Sequence, residues 1–134
     1  MYWKYSIGFL IASLIQAALI LTAESLNISN LGAKITLMQL IIHIVAGQVA
    51  GFLLLWVMRT VRQIGEATLW VTGTVFGVLV WAVTLTINSM QGTVNAPWNE
   101  GLLTVLSSLI AFIVFGIIST YTIKHYGKRM LRYE

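Results

Sequence analysis

The stretch LIIHIVAGQVAGFLLLWVM, residues 40–58, decides the fold class of this chain. It carries no charged residue, and it has the length of about 20 residues that an α-helix needs to cross a hydrocarbon core of about 30 Å. Its apolar residues are continuous rather than alternating, which argues against a membrane-spanning β-strand. The stretch therefore predicts a transmembrane helix that contains two polar side chains, His43 and Gln48.

The composition of the whole chain agrees with this interpretation. Of the 134 residues, 58% are hydrophobic and 9% are charged, whereas a soluble domain carries about 25% charged residues. A chain of this size could not hide so much apolar surface from water, so we expect an integral membrane protein. The sequence contains no cysteine, which excludes disulfides, thiolate metal ligands and a thiol nucleophile.

Three further apolar runs accompany the first, and charges fall only between and beyond them. The sequence thus predicts an all-α integral membrane protein with a single four-helix transmembrane domain, residues 1–134. The predicted helices cover residues 7–23, 37–64, 67–88 and 101–123. Before the second helix, the sequence TLMQ predicts a capping box with Thr36 as N-cap and Gln39 three residues later.

The distribution of basic residues predicts the orientation of the helices, because Lys and Arg concentrate on the cytoplasmic side. They stand at the N-terminus, between the second and third apolar runs, and in the C-terminal tail. We therefore expect both termini on the cytoplasmic side and the 24–35 and 88–100 connections outside. The basic residues that carry this prediction are Lys4, Arg59, Arg62, Lys124, Lys128, Arg129 and Arg132.

A weak internal repeat relates the two halves of the chain at an offset of 65 residues. It suggests two related helical hairpins, 4–66 and 69–131, both starting on the same side of the membrane; chance matches between apolar sequences are the alternative. The matched pairs are Gly8 with Gly73, Ala12 with Gly77, Ala17 with Ala82, Asn30 with Asn95, Ala46 with Ala111, Val49 with Val114, Gly51 with Gly116 and Arg59 with Lys124.

Two Gly-x-x-x-Gly pairs mark helix-packing faces, because small residues let membrane helices approach closely. Gly47 and Gly51 form one pair, and Gly73 and Gly77 form the other. Gln48 points away from the side of the second helix that carries His43, Ala46 and Ala50. A lipid-facing amide would leave polar groups unsatisfied, so both sides of this helix should meet protein, in this chain or in a partner.

His43 is the ionisable residue within the predicted spans, and such residues are functional-site candidates. We expect it in the outer half of the bundle, together with most other polar side chains of the spans. The candidate polar cavity consists of Gln16, His43, Trp81, Thr84, Asn88, Ser107 and Ser108. The alternatives for His43 are a structural hydrogen bond to Gln16, Ser107 or Ser108, a ligand or proton role, and metal or haem ligation, which would need an axial partner that His125 cannot supply.

The sequence predicts no enzyme, no metal site and no cofactor. All four acidic residues lie in connections or at the end of the chain, so no carboxylate pair can act inside the membrane, and no nucleophile-elbow motif accompanies the serines. The basic residues serve topology, so we expect no nucleic-acid partner. The expected partners are the lipid bilayer and a second copy or another membrane protein, with a small-molecule ligand only under the transport hypothesis below.

The segments TGTVFGVLVWAV and LLTVLSSLIAFIVFGIISTY carry a resemblance to a known family. They resemble the second half of the YqhR-like small four-span bacterial membrane proteins of unknown function, with Gly-x-x-x-Gly, then Trp, then a late Phe-Gly before the closing Tyr. The resemblance covers about 55 residues. It implies a location in the bacterial cytoplasmic (inner) membrane and supplies no site residue.

Two functional hypotheses remain. The first is a non-catalytic accessory or interaction subunit that uses the Gly-x-x-x-Gly faces and Gln48 for partners. The second is a small oligomeric transporter or channel-type protein with an outward-facing polar cavity around His43.

Overall fold

The computed structural model describes residues 3–28, 36–92 and 94–126, and this part of the chain is helical without strands. Its helices are α1 (Trp3–Ser25), α2 (Leu37–Thr60), α3 (Arg62–Glu66), α4 (Leu69–Met90) and α5 (Leu102–Tyr126), with a 3₁₀ turn at Pro97–Asn99. α1, α2, α4 and α5 are long and apolar enough to cross a membrane. The prediction of an all-α chain with four helices of spanning length is therefore confirmed.

The helices begin and end close to the predicted positions, with one difference. The sequence predicts a continuous second helix over 37–64, whereas the structure divides this range into α2 and α3, because Val61 adopts an extended backbone conformation. The predicted cap at the start of α2 is confirmed, since the Gln39 backbone N–H donates to Thr36 Oγ1 at 3.2 Å. Arg62 forms an ion pair with Glu66 across the single turn of α3 at 2.9 Å.

The four long helices pack in the order α2, α1, α5, α4. α5 makes its most extensive contacts with α4 and then with α1, and α2 packs chiefly on α1. α1 and α5 are thus the central helices, and α2 and α4 flank them. The sequence instead allowed a central α2, because it showed polar residues on two sides of that helix.

Two apolar clusters hold the bundle together at different levels. The first joins α1, α2 and the end of α5 and consists of Tyr5, Phe9, Leu54, Leu55, Met58 and Ile123. The second joins α4 and α5 through Leu85 and Phe112, with Trp81 packed against them. α1 and α5 each pack on two long helices, whereas α2 and α4 each pack mainly on one.

The described basic side chains gather at one end of the bundle, which we call the basic end. Lys124 Nζ donates to the Ala67 carbonyl at 2.7 Å, and Lys4 Nζ lies 5.6 Å from the centre of the Tyr126 ring. These contacts bring the start of α1, the α3–α4 connection and the end of α5 together. Asn30 and the tail residues Lys128, Arg129 and Arg132, which contribute to the predictions above, lie outside the described residues.

Candidate functional site

His43 lies on α2 at the contact with α1. Its Nε2 atom is 2.8 Å from the Ser13 carbonyl oxygen, and because a carbonyl only accepts, this nitrogen must carry the proton in the contact. One turn further along α2, Gly47 brings the helices close, since a Cβ atom there would overlap the Ser13 hydroxyl. The contact joins His43 to a backbone carbonyl, and not to the Gln16, Ser107 or Ser108 side chains that the sequence suggested.

Gln48 also contacts α1, at Ser6, which lies two helical turns closer to the basic end than Ser13. The Ser6 hydroxyl donates to Gln48 Oε1 at 2.9 Å, and Gln48 Nε2 donates to the Ser6 carbonyl at 2.9 Å. The helix that satisfies the Gln48 amide is therefore α1 of the same chain. Sequence reasoning missed Ser6, which stands before the predicted start of the first helix; its spacing of seven residues from Ser13 is the signal that places both on one face.

The Gly47–Gly51 pair is occupied by α1. A Cβ atom on Gly51 would meet the Phe9 ring, as one on Gly47 would meet Ser13. Phe9 in turn packs edge-on against Phe52, with ring centres 5.2 Å apart. This glycine face is therefore filled within the chain, although the sequence offered it as a surface for a partner.

The Gly73–Gly77 pair is filled by α5. A Cβ atom on Gly73 would lie 2.7 Å from Ile117 Cα, and one on Gly77 would lie 2.6 Å from Ile113 Cα. Gly116 completes the close approach, because a Cβ atom there would meet the Gly73 carbonyl oxygen. Backbone approaches backbone here, so this glycine face also has its partner inside the chain.

A short polar network connects α4 and α5. Trp81 Nε1 donates to Ser108 Oγ at 2.9 Å, and Ser108 Oγ donates to the Thr104 carbonyl of its own helix at 2.7 Å. Ser108 is 1% exposed, so the indole N–H and the hydroxyl satisfy each other away from solvent. Within their own helices, Asn88 Nδ2 donates to the Thr84 carbonyl and Ser107 Oγ donates to the Thr104 carbonyl.

The structure divides the predicted polar cavity between two helix contacts. His43 belongs to the α1–α2 contact, Trp81 and Ser108 belong to the α4–α5 contact, and the central helices separate α2 from α4. Gln16, on α1, is 3% exposed. His43, Trp81 and Ser108 thus connect helices at two separate places, whereas Asn88 and Ser107 bond within their own helices.

One open depression lies at the end of the bundle opposite the basic end, between the end of α4 and the 3₁₀ turn. It has a volume of about 560 Å³, and Trp98 at its edge packs edge-on against Trp81 with ring centres 6.2 Å apart. The lining residues are Thr86, Ser89, Met90, Gly92, Val94, Asn95, Ala96, Trp98, Asn99 and Glu100. It is a surface feature of a connection, and none of the seven predicted cavity residues lines it.

The described part of the chain brings few metal-ligating side chains together. Residues 3–28, 36–92 and 94–126 contain no group of three His, Cys, Asp or Glu side chains that could hold a metal ion. His125 lies in the last turn of α5 and stacks on Tyr121, with ring centres 5.5 Å apart. The histidines thus make contacts with a carbonyl and with aromatic rings.

No protein-family model, curated protein or solved structure matches this chain. The fold and the contacts above are therefore the basis for any statement about function.

Proposed function

We propose that this chain is a small polytopic membrane protein that acts without catalysis as an accessory or interaction subunit. The observation that carries the proposal is the use of the polar side chains in the spans. His43, Gln48 and Trp81 each hydrogen-bond a neighbouring helix of the same chain. Because these side chains hold the bundle together, we assign the interaction with a partner to the outer surface of the bundle.

The outer surface suited to a partner lies on the flanking helices. Only 22% of the spanning part of α2 and of α4 is buried, compared with 39% for α5. Both glycine pairs are occupied within the chain, so an interaction role must use the sides of α2 and α4 that face away from α1 and α5. These sides are apolar and include Val49 and Val75, which are 64% and 53% exposed.

The arrangement supports the accessory role better than transport. A transporter of this size would need polar groups that converge on one path through the bundle. In this bundle, His43 lies at the α1–α2 contact and Trp81 and Ser108 lie at the α4–α5 contact. There they hydrogen-bond to carbonyl groups or to each other. We extend the proposal to orientation and location: the basic end faces the cytoplasm, and the membrane is the bacterial cytoplasmic membrane.

Photo-crosslinking in native membranes tests the accessory role. A photoreactive residue replaces Val49 on α2 or Val75 on α4, and Ile110 on α5, which is 57% exposed, serves as the matched control. The proposal predicts protein adducts from the flanking helices and mainly lipid adducts from Ile110. Lipid adducts alone at all three positions would contradict it.

A further inference from the structure

The Lys4 side chain, at the start of α1, lies against the end of α5. Its Nζ atom is 5.6 Å from the centre of the Tyr126 ring and 5.8 Å from that of the Trp3 ring. Ring faces attract a cation within about 6 Å, so these two rings hold the ammonium at the α1–α5 contact. His125 extends the group, since its ring centre lies 4.7 Å from that of Tyr126. We call these four residues, Trp3, Lys4, His125 and Tyr126, the Lys4 cluster.

The charge of Lys4 is not neutralised by a carboxylate in the described part of the chain. Glu66 is the described acidic residue at the basic end, and it pairs with Arg62 at 2.9 Å. Glu24 lies in the last turn of α1 and Glu100 follows the 3₁₀ turn, both at the opposite end of the bundle. The exposed ammonium has three N–H donors, and ring faces do not use them as an anionic oxygen would. The cluster therefore suits an anion.

An apolar strip continues from Lys4 along α1 toward the middle of the bundle. Ile11 and Ile15 follow Lys4 by seven and eleven residues, spacings that place all three on one side of the helix. Both isoleucines are exposed, by 47% and 39%. The strip is about 16 Å long at about 1.5 Å per residue, which is close to half of a hydrocarbon core of about 30 Å. It therefore has the length of an acyl chain in one leaflet.

We infer that the Lys4 cluster binds the phosphate of an anionic phospholipid, with an acyl chain of that lipid along Ile11 and Ile15. The phosphate oxygens accept hydrogen bonds from the ammonium, and the Trp3 and Tyr126 rings lie at the level of the headgroups, where such rings are enriched. Lys4 favours a headgroup of net negative charge, because it repels the headgroup ammonium of a zwitterionic lipid. The inference goes beyond the accessory role, since it concerns the central helices.

Two variants distinguish this site from a general attraction between the basic end and anionic lipid. Tyr126→Leu removes a ring that holds Lys4 and leaves the charge of the protein unchanged. Arg62→Gln removes one positive charge from the basic end, as Lys4→Gln does, and leaves the cluster intact. The three replaced side chains are exposed, so each variant keeps the core of the bundle.

Native mass spectrometry of the full chain in detergent measures the binding of added phosphatidylglycerol, with phosphatidylcholine of the same acyl chains as the zwitterionic comparison. We expect the unmodified protein to bind phosphatidylglycerol more tightly than phosphatidylcholine. Lys4→Gln should weaken phosphatidylglycerol binding about fivefold, the contribution of one basic group near a lipid surface. Tyr126→Leu should also weaken it, whereas Arg62→Gln should bind as the unmodified protein does.

Four results would overturn the inference. The unmodified protein binds both lipids equally, or Lys4→Gln binds phosphatidylglycerol as the unmodified protein does. Arg62→Gln loses as much binding as Lys4→Gln while Tyr126→Leu loses none, which would assign the effect to net charge. Water-soluble glycerol phosphate displaces the lipid, which would make the ligand a free phosphate. The accessory role is tested separately, because photo-crosslinking from α2 and α4 does not involve this cluster.

Discussion

The polar side chains of α2 show what a hydrogen-bonding group does inside an apolar span. His43 and Gln48 each donate to a carbonyl of α1 that belongs to a serine, Ser13 or Ser6. A carbonyl oxygen has two lone pairs, so it can accept a second hydrogen bond besides that of its own helix. Two side chains that look like functional candidates in the sequence therefore serve as connections between helices.

Replacing His43 with Ala should lower the free energy of unfolding by about 1 kcal/mol, the scale of hydrogen bonds between membrane helices. Unfolding of the purified protein in detergent measures this change. His125→Ala is the control, because His125 lies in the last turn of α5 and contacts Tyr121 and Tyr126 of its own helix. Unchanged stability of His43→Ala would contradict a structural role for this residue.

The Ser6–Gln48 pair should show a measurable coupling energy. Gln48→Ala removes both hydrogen bonds, whereas Ser6→Ala removes the hydroxyl and keeps the carbonyl acceptor. We therefore expect Gln48→Ala to destabilise the bundle more, with a coupling of about 0.5–1.5 kcal/mol in a double-mutant cycle. Strictly additive effects would show that the two side chains do not interact.

The close approach of helices depends on glycine most strongly at the α4–α5 contact. There a Cβ atom would meet backbone atoms of Ile113 and Ile117, which cannot move aside as a flexible side chain can. At Gly8, by contrast, it would meet the side chain of Thr122. Small residues thus set the spacing of the second hairpin more rigidly than that of α1 and α5.

Gly77→Ala should therefore destabilise the fold by about 1–3 kcal/mol, the usual cost of overpacking. Thermal unfolding in detergent measures the effect. The matched control is Val83→Leu, which enlarges an α4 residue that is 57% exposed and should leave stability nearly unchanged. Equal effects of the two variants would mean that the backbone contact at Gly77 does not limit the packing.

The sequence predicts where the helices lie along the chain better than it predicts which helices pack against each other. Length and hydropathy define the spans because both follow directly from the bilayer thickness. The sequence also shows in part which side of a helix packs against protein, as Gly73 and Gly77 illustrate. It does not show which helix packs against that side, since spacing along one helix carries no information on its neighbour. For this reason the sequence groups His43 with Trp81 and Ser108, whereas the structure places them at two different helix contacts.

Over the whole molecule, the gathered basic residues should fix the orientation in the membrane. Gln63 on α3 lies at the basic end, and Gln91 follows α4 at the other end; both are exposed. We expect a membrane-impermeant maleimide to label Gln91→Cys in intact cells and Gln63→Cys only after permeabilisation. The reverse pattern would contradict the cytoplasmic position of the basic end.

The packing order of the helices explains why α2 and α4 are the place to look for function. Each half of the chain supplies one helix with two covered sides and one with a single covered side. The bundle therefore has a stable centre, α1 with α5, and two outer faces that have no equivalent neighbour in the chain. The central claim is that these outer faces bind protein.

Photo-crosslinking in native membranes tests this claim most directly. A photoreactive residue replaces Val49 on α2 or Val75 on α4, and the same residue at Ile110 on α5 is the matched control. We predict protein adducts from both flanking helices and mainly lipid adducts from Ile110. Lipid adducts alone at all three positions would contradict the claim.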